Sequence, residues 1–197
     1  MNGIIKKGFT VWLTGFSGSG KTTISQRLQQ RMLEKNIACE ILDGDVIRQN
    51  LCKDLGFSKE DRCTNILRIG FVAEMLSRHG VCVIVSAISP YRDARNQVRE
   101  KIPNFVEVHV KCPIEVCESR DVKGLYKKAR KGEMKNFTGI SDAYEEPVNP
   151  EIICDTEVET IEDSVNKVLA GLGELNLIKP SYSNQEHENH YHRRRIK

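Results

Sequence analysis

Residues 15–23 read GFSGSGKTT and stand between an apolar run, Phe9 to Leu13, and a segment with helical spacing. Gly15, Gly20, Lys21 and Thr22 fill the four defined places of the phosphate-binding loop G-x-x-x-x-G-K-[ST]. Glycines let the backbone wrap tightly around a phosphate chain, so that successive N–H groups and the next helix's N-terminus face anionic oxygens. Lys21 is placed to reach the β- and γ-phosphates, and the Thr22 hydroxyl to ligate Mg²⁺. The strand before and the helix after separate this loop from a glycine-rich linker with a chance lysine. They commit the chain to an α/β fold that binds a nucleoside triphosphate.

The rest of the chain repeats that alternation. Apolar strand candidates recur at 9–14, 38–42, 81–87, 105–110 and 151–154. Between them Ile24, Leu28 and Met32, then Ile66, Ile69, Ala73 and Leu76, then Ala94, Val98 and Ile102 form helical stripes. A last helix is expected from about Thr160, marked by Ile161, Val165, Val168 and Leu172. Strands alternating with helices predict a mostly parallel, five-stranded sheet of P-loop NTPase type flanked by helices. Ligands bind at the carboxyl ends of such strands. The phosphate loop, DGD at 43–45 and SAISPYR at 86–92 each follow a strand candidate.

Composition narrows the function. The net charge of +3 resides in the tail from Lys179, with five basic and two acidic residues, while residues 1–178 hold 25 of each sign. A neutral body does not match a nucleic-acid-binding domain. The longest apolar stretch, Val81 to Ile88, is broken by Ser86 and too short to span a bilayer. MNGIIKKGF lacks the apolar core of a secretory signal, so a cytoplasmic protein is expected. Seven cysteines without a C-x-x-C pair argue against a disulfide framework or a zinc site. Cys39, Cys82 and Cys154 fall in strand candidates, where a thiol packs as a small hydrophobe.

Two segments depart from the alternation. Residues 120–139, RDVKGLYKKARKGEMKNFTG, hold seven basic residues and three glycines with little apolar periodicity. Beside a phosphate loop we read this segment as a lid that closes over phosphates and excludes water, against the plainer reading of a solvated charged helix. The tail, 179–197, is basic and almost without aliphatics, and is expected to be disordered. Residues 1–178 are expected to form one kinase domain.

A phosphate loop alone does not separate a kinase from a GTPase or a motor ATPase. The guanine-reading signature N-K-x-D is absent, and the DxxG string Asp121–Gly124 lies in the lid rather than after a strand. A phosphotransferase must orient an acceptor hydroxyl and receive its proton. Asp43 and Asp45 suit that work, one supporting Mg²⁺ and the other the hydroxyl, although Asp43 in an Asp-Gly turn also reads as a helix cap. Arg48, Arg62 and Arg68 follow, and two of the three are expected to contact ligand. Guanidinium groups match phosphate- or sulfate-like oxygens, so an anionic acceptor is expected.

At this point the chain resembles the adenylyl-sulfate kinase family from about Gly8 to Leu169. The strings that carry the resemblance are GFSGSGKTT, LDGDVIR (42–48), DLGFSKEDR (54–62), ISPYR (88–92), VEVHVKCPIEVCESRD (106–121), KGLYKKAR (123–130) and FTGISDAYEEP (137–147). The resemblance implies transfer of the γ-phosphate of ATP to the 3′-hydroxyl of adenosine 5′-phosphosulfate, with Mg²⁺, in sulfate assimilation. It implies that Lys21, Asp45 and Ser89 are catalytic, and that Gly15, Ser17, Gly18, Ser19, Gly20, Lys21, Thr22, Thr23 and Arg120 bind ATP. Thr22 and Asp43 would hold the metal. The acceptor would lie among Asp45, Arg48, Phe57, Arg62, Asn65, Ile88, Ser89, Lys123, Leu125, Lys127 and Phe137, with Phe57 and Phe137 sandwiching its base.

Family descriptions make Ser89 a phosphoserine intermediate, yet in-line transfer needs no covalent step. The family resemblance also implies a homodimer and admits association with a sulfate adenylyltransferase. Three positions depart from the family's usual pattern: Leu67 replaces an arginine, Ala87 a phenylalanine and Phe71 a glutamate. Other readings stay open: a small-metabolite or nucleoside kinase of the same fold, or a nucleotide-binding module without turnover whose basic tail docks an acidic partner.

Overall fold

In the computed structural model, residues 8–179 are described. The elements run β1 (Phe9–Thr14), α1 (Lys21–Glu34), β2 (Cys39–Asp43), α2 (Gly44–Leu51), α3 (Lys59–Arg78), β3 (Cys82–Ser86), α4 (Arg92–Lys101), β4 (Phe105–Lys111), α5 (Ile114–Arg120), α6 (Leu125–Arg130), β5 (Ile152–Asp155) and α7 (Ile161–Glu174). The sheet order is β2-β3-β1-β4-β5, and every pairing is parallel. The five expected strands are therefore present, with ends moved by a residue or so.

Parallel strands are covered on both faces, which explains their continuous apolar runs. Here the pleat sorts alternate residues into two layers. Val11 and Leu13 of β1, Ile84 of β3 and Val108 of β4 pack beneath α1 and α7 through Ile24, Leu28, Val165 and Val168. Trp12, Val83 and Val85 face the opposite way, against Ile66 and Ile69 of α3 and Ala94 and Val98 of α4. The three helical stripes read from spacing are these buried faces. Helix α7 begins where expected: Thr160 and Asp163 form a reciprocal capping box.

Three features differ from the sequence reading. Helix α2 was implied only by the cap reading of Asp43, which starts it by accepting from the N–H groups of Asp45 and Val46. Segment 120–139 is not free of apolar organisation. Tyr126 and Ala129, three apart on α6, pack with Phe137, Cys112 and Cys117 in a third apolar cluster. The spacing was hidden because so short a helix turns Leu125, Tyr126 and Ala129 toward the cluster without completing a repeat. Cys39 is only half-buried, whereas Cys82 and Cys154 are core residues. The basic tail lies outside the described residues beyond Lys179. No helix among the described residues is long and apolar enough to cross a membrane.

Candidate active site

A cleft of about 1320 Å³ opens at the carboxyl ends of the strands. Its floor is the phosphate loop between β1 and α1. Gly20 adopts φ 99°, a left-handed conformation that side chains resist. A Cβ at Gly15 would lie 2.4 Å from the carbonyl oxygen of Val110, so only glycine lets the loop pass this close to β4. Ser17, Gly18, Gly20, Lys21, Thr22 and Thr23 line the cleft. Gly15 contributes a carbonyl to Lys21 rather than a cleft wall, and the Ser19 side chain is buried.

Lys21 donates from Nζ to the carbonyl oxygens of Gly15 at 2.9 Å and Phe16 at 2.7 Å. Burial pulls its pKa down from 10.5 to about 8. The loop thus holds a partly desolvated ammonium that phosphate oxygens would welcome. The Thr22 hydroxyl donates to Asp43 Oδ2 at 3.3 Å. Asp43 caps α2 through Oδ1, accepting from Asp45 N at 2.9 Å, while Oδ2 faces the phosphate loop. Asp45 projects one residue beyond the turn, exposed, and pairs with Lys123.

The opposite wall carries two guanidinium groups beside an aromatic ring. Arg48 and Arg62 place their guanidinium carbons 4.6 and 5.4 Å from the Phe57 ring centroid. Arg48 donates to Gly56 O at 2.7 Å. Arg62 reaches Phe57 O at 3.2 Å and Asn136 O at 2.6 Å, and lies 3.5 Å from Asp142. Burial lowers the Arg62 pKa from its ordinary value, partly offset by Asp142. Asn65, Ile88 and Phe137 line the same wall, and Phe137 is itself held edge-on by Tyr126 at 5.0 Å. Arg68 is not part of this wall. It forms a two-pronged pair with Asp54, both bonds 2.7 Å, and fixes the turn between α2 and α3.

Segment 120–139 is tied to the phosphate loop. Tyr126 donates its phenolic O–H to Ser17 O at 2.9 Å, and the Asp121 carboxylate accepts from the N–H groups of Tyr126 and Lys127. The Asp121–Gly124 string therefore starts a helix. Lys123 and Leu125 line the cleft; the Lys127 side chain is not among the lining groups. Arg120 donates to Thr156 O at 2.6 Å, and Thr156 in turn donates to Ser19 O at 2.9 Å.

Thr156 and the segment through Ser164 form a wall that the sequence reading missed. Their position directly after β5 was the available signal.

Ser89 differs from the other candidates. It sits at φ 50° with its side chain buried, accepting from Trp12 Nε1 at 2.9 Å. Arg95, also buried, holds the Ser89 carbonyl at 2.6 Å, the Glu145 carbonyl at 2.7 Å and the Glu107 carboxylate at 2.7 Å. The loop carrying Ile88 and Ser89 is thereby fastened from behind.

Comparison with known proteins gives the same architecture a family. The family model described as adenylylsulphate kinase matches residues 7–155. The chain belongs to the adenylylsulphate kinase family. An adenylyl-sulfate kinase of Rippkaea orientalis is 63% identical, covering 89% of this chain and 97% of its own length. One from Microcystis aeruginosa is 61% identical, covering 88% and 96%. An APS kinase of Mycobacterium tuberculosis, solved in complex with AMPPNP and APS, superposes with a TM-score of 0.81 at 42% identity, covering 84% of this chain and 98% of that one.

Within this adenylylsulphate kinase the three departures have distinct surroundings. Leu67 packs partly against the α3–α4 layer, Ala87 lines the cleft with its methyl group buried, and Phe71 stands exposed on α3. No cluster of three or more His, Cys, Asp or Glu suited to a metal occurs among the described residues. One carboxylate and one hydroxyl beside a phosphate loop still fit Mg²⁺, which keeps several waters and takes its remaining ligands from phosphates.

Proposed function

We propose that this member of the family transfers the γ-phosphoryl group of ATP to the 3′-hydroxyl of adenosine 5′-phosphosulfate, giving ADP and 3′-phosphoadenylyl sulfate. The observation that carries this reading is the pairing, in one cleft, of a phosphate loop with Arg48 and Arg62 flanking Phe57. An aromatic face between two guanidinium groups suits a nucleotide that carries an anionic phosphosulfate.

The loop N–H groups and Lys21 would cradle the ATP phosphates, with Arg120 and Thr156 on the nucleotide side. Thr22 and Asp43 would hold Mg²⁺, which when bound neutralises charge on the phosphoryl oxygens. Asp45 would hold the acceptor hydroxyl and take its proton. Its pairing with Lys123 brings a lid cation to the transferring group. Arg48, Arg62, Asn65, Ile88, Leu125, Phe57 and Phe137 would position the acceptor. Lys127 would contribute charge from outside the wall. Ser89 would act by shaping the loop, because its hydroxyl is committed to Trp12; transfer is then direct and in line.

A homodimer in the cytoplasm, admitting association with a sulfate adenylyltransferase, completes the reading. An APS kinase of Thiobacillus denitrificans described as hexameric, 32% identical with a TM-score of 0.67, supports self-association; it covers 89% of this chain and 30% of its own. The activity is tested by ADP release from Mg·ATP with and without adenosine 5′-phosphosulfate, the nucleotide product being identified by mass. Acceptor-dependent release of a product with one added phosphate is expected. Release with gluconate or shikimate instead would overturn it.

A further inference from the structure

Five buried side-chain oxygens among the described residues lack a hydrogen-bond partner: Thr10 Oγ1, Ser19 Oγ, Asn65 Oδ1, Ser86 Oγ and Thr138 Oγ1. An unpaired buried hydroxyl costs about 1–3 kcal/mol, so each calls for a reason. Thr10 lies near the amino end of β1, away from the cleft. Ser19 belongs to the phosphate loop, and Asn65 and Thr138, the latter next to Phe137, to the acceptor wall. Ser86 has no role yet, although it ends β3, is only 4% exposed and lines the cleft.

The pleat gives its direction. On β3, Cys82 and Ile84 pack in the layer beneath α1 and α7, whereas Val83, Val85 and Ala87 pack in the layer beneath α3 and α4. Ser86 continues the first set. On β2, Cys39 and Ile41 pack against the same α1 layer and Leu42 against the other, so Asp43 also stands on the α1 side. Asp43 and Ser86 are register partners in the parallel β2–β3 pair. Thr22, in the first turn of α1, reaches Asp43 across 3.3 Å. Three oxygen-bearing side chains thus meet at one sheet edge, next to the phosphate loop.

We propose that Ser86 is a further residue of the divalent-cation site, its hydroxyl holding a water in the shell of the Mg²⁺ that accompanies the nucleotide. The proposal rests on the reading that Thr22 and Asp43 hold that ion. Magnesium dehydrates reluctantly, so a hydroxyl set one strand away from the carboxylate is suited to a bound water. Outer-shell partners of this kind set metal affinity. The acceptor is the less favoured occupant, because the pleat turns Ser86 away from Ala87 and the acceptor wall.

The test is Mn²⁺ binding to the full chain in the presence of ADP, with free Mn²⁺ read by electron paramagnetic resonance. Ser86→Ala should weaken Mn²⁺ binding about tenfold, and Ser86→Thr, which keeps the oxygen, should restore most of it. ADP binding in chelator should not change. Thr10→Val, which removes an orphan hydroxyl at the far end of the sheet, should leave Mn²⁺ affinity at the wild-type value. Ser86→Ala should melt no lower than wild type without ligand, since its hydroxyl bonds nothing in the fold. Should that variant fail to fold, Ser86→Cys, nearly isosteric with a soft donor, must show the same Mn²⁺ deficit. Unchanged Mn²⁺ affinity would overturn the proposal, and a raised KM for the acceptor alone would move Ser86 to the acceptor wall. If wild type binds ADP but no Mn²⁺, the Thr22–Asp43 reading fails and takes this proposal with it.

Discussion

The indole N–H of Trp12 donates to the hydroxyl of Ser89 at 2.9 Å, inside the protein. A strand in the middle of the sheet therefore grips the loop that follows the neighbouring strand. The Ser89 oxygen bonds Trp12 and the Ala87 carbonyl, at 3.4 Å, rather than standing free as a nucleophile. Ser89→Ala should keep most of its turnover while losing about 1–3 kcal/mol of stability, because Trp12 is left without an acceptor. Steady-state rates and denaturant unfolding on one preparation check both halves. Complete loss of activity in a folded variant would restore a covalent role for Ser89.

Lys21 makes nucleotide binding sensitive to pH. Burial sets its folded pKa at about 8, below the ordinary 10.5. Below the folded value both folded and unfolded chains carry the charge, and the burial penalty is fully felt. As pH rises from about 8 toward 10.5 the unfolded chain binds more protons, so the ligand-free protein gains stability across that window. Phosphate oxygens favour the charged form, so nucleotide binding above about pH 8 should take up a proton. Affinity should then fall by up to about tenfold per pH unit. Calorimetry in buffers of differing ionisation enthalpy reads the proton uptake; none above that pH would mean Lys21 is charged throughout.

Phe57 separates binding from stability. It is 49% exposed, with the Arg48 and Arg62 guanidinium groups over its ring. Phe57→Ala should leave the melting temperature unchanged and raise the acceptor KM, since stacking on a base contributes about 1–3 kcal/mol. The KM for ATP should not move. Equal changes in both KM values would place Phe57 outside the acceptor wall.

Lys123 and Asp45 are both exposed partners, so their pairing adds little to folding. Lys123→Ala should melt with wild type yet lower kcat, because charge at the transferring group is felt only in the transition state. A fall in melting temperature with unchanged kcat would make the pair structural.

The buried pair behind the loop predicts the reverse pattern. Arg95 and Glu107 have side chains 2% and 8% exposed. Arg95→Met should cost about 3–5 kcal/mol, because it leaves the Glu107 carboxylate short of a partner and frees the Ser89 and Glu145 carbonyls. Chemical denaturation measures this directly, and a variant as stable as wild type would show that Arg99, which also donates to the Glu107 carboxylate at 3.0 Å, satisfies it alone.

The strand–loop–helix beginning, the five strands and the helical stripes were legible in residue order. Strands covered on both faces must be continuously apolar, and a phosphate loop needs its glycines and lysine at set spacing. Arg48 and Arg62 were legible as anion-binding candidates for the same reason: their chemistry is written in residue type. What only the tertiary structure decided depends on direction. Arg68 has the same chemistry as Arg62, but it turns to Asp54 and leaves the cleft. Tyr126, Cys117 and Phe137 carry no shared period, because two short helices and a loop supply them separately to their cluster. The Thr156 wall forms only once β5 docks beside β4. Ser86, an ordinary residue in an apolar run, became informative only when the register set it beside Asp43 and left its hydroxyl unpaired.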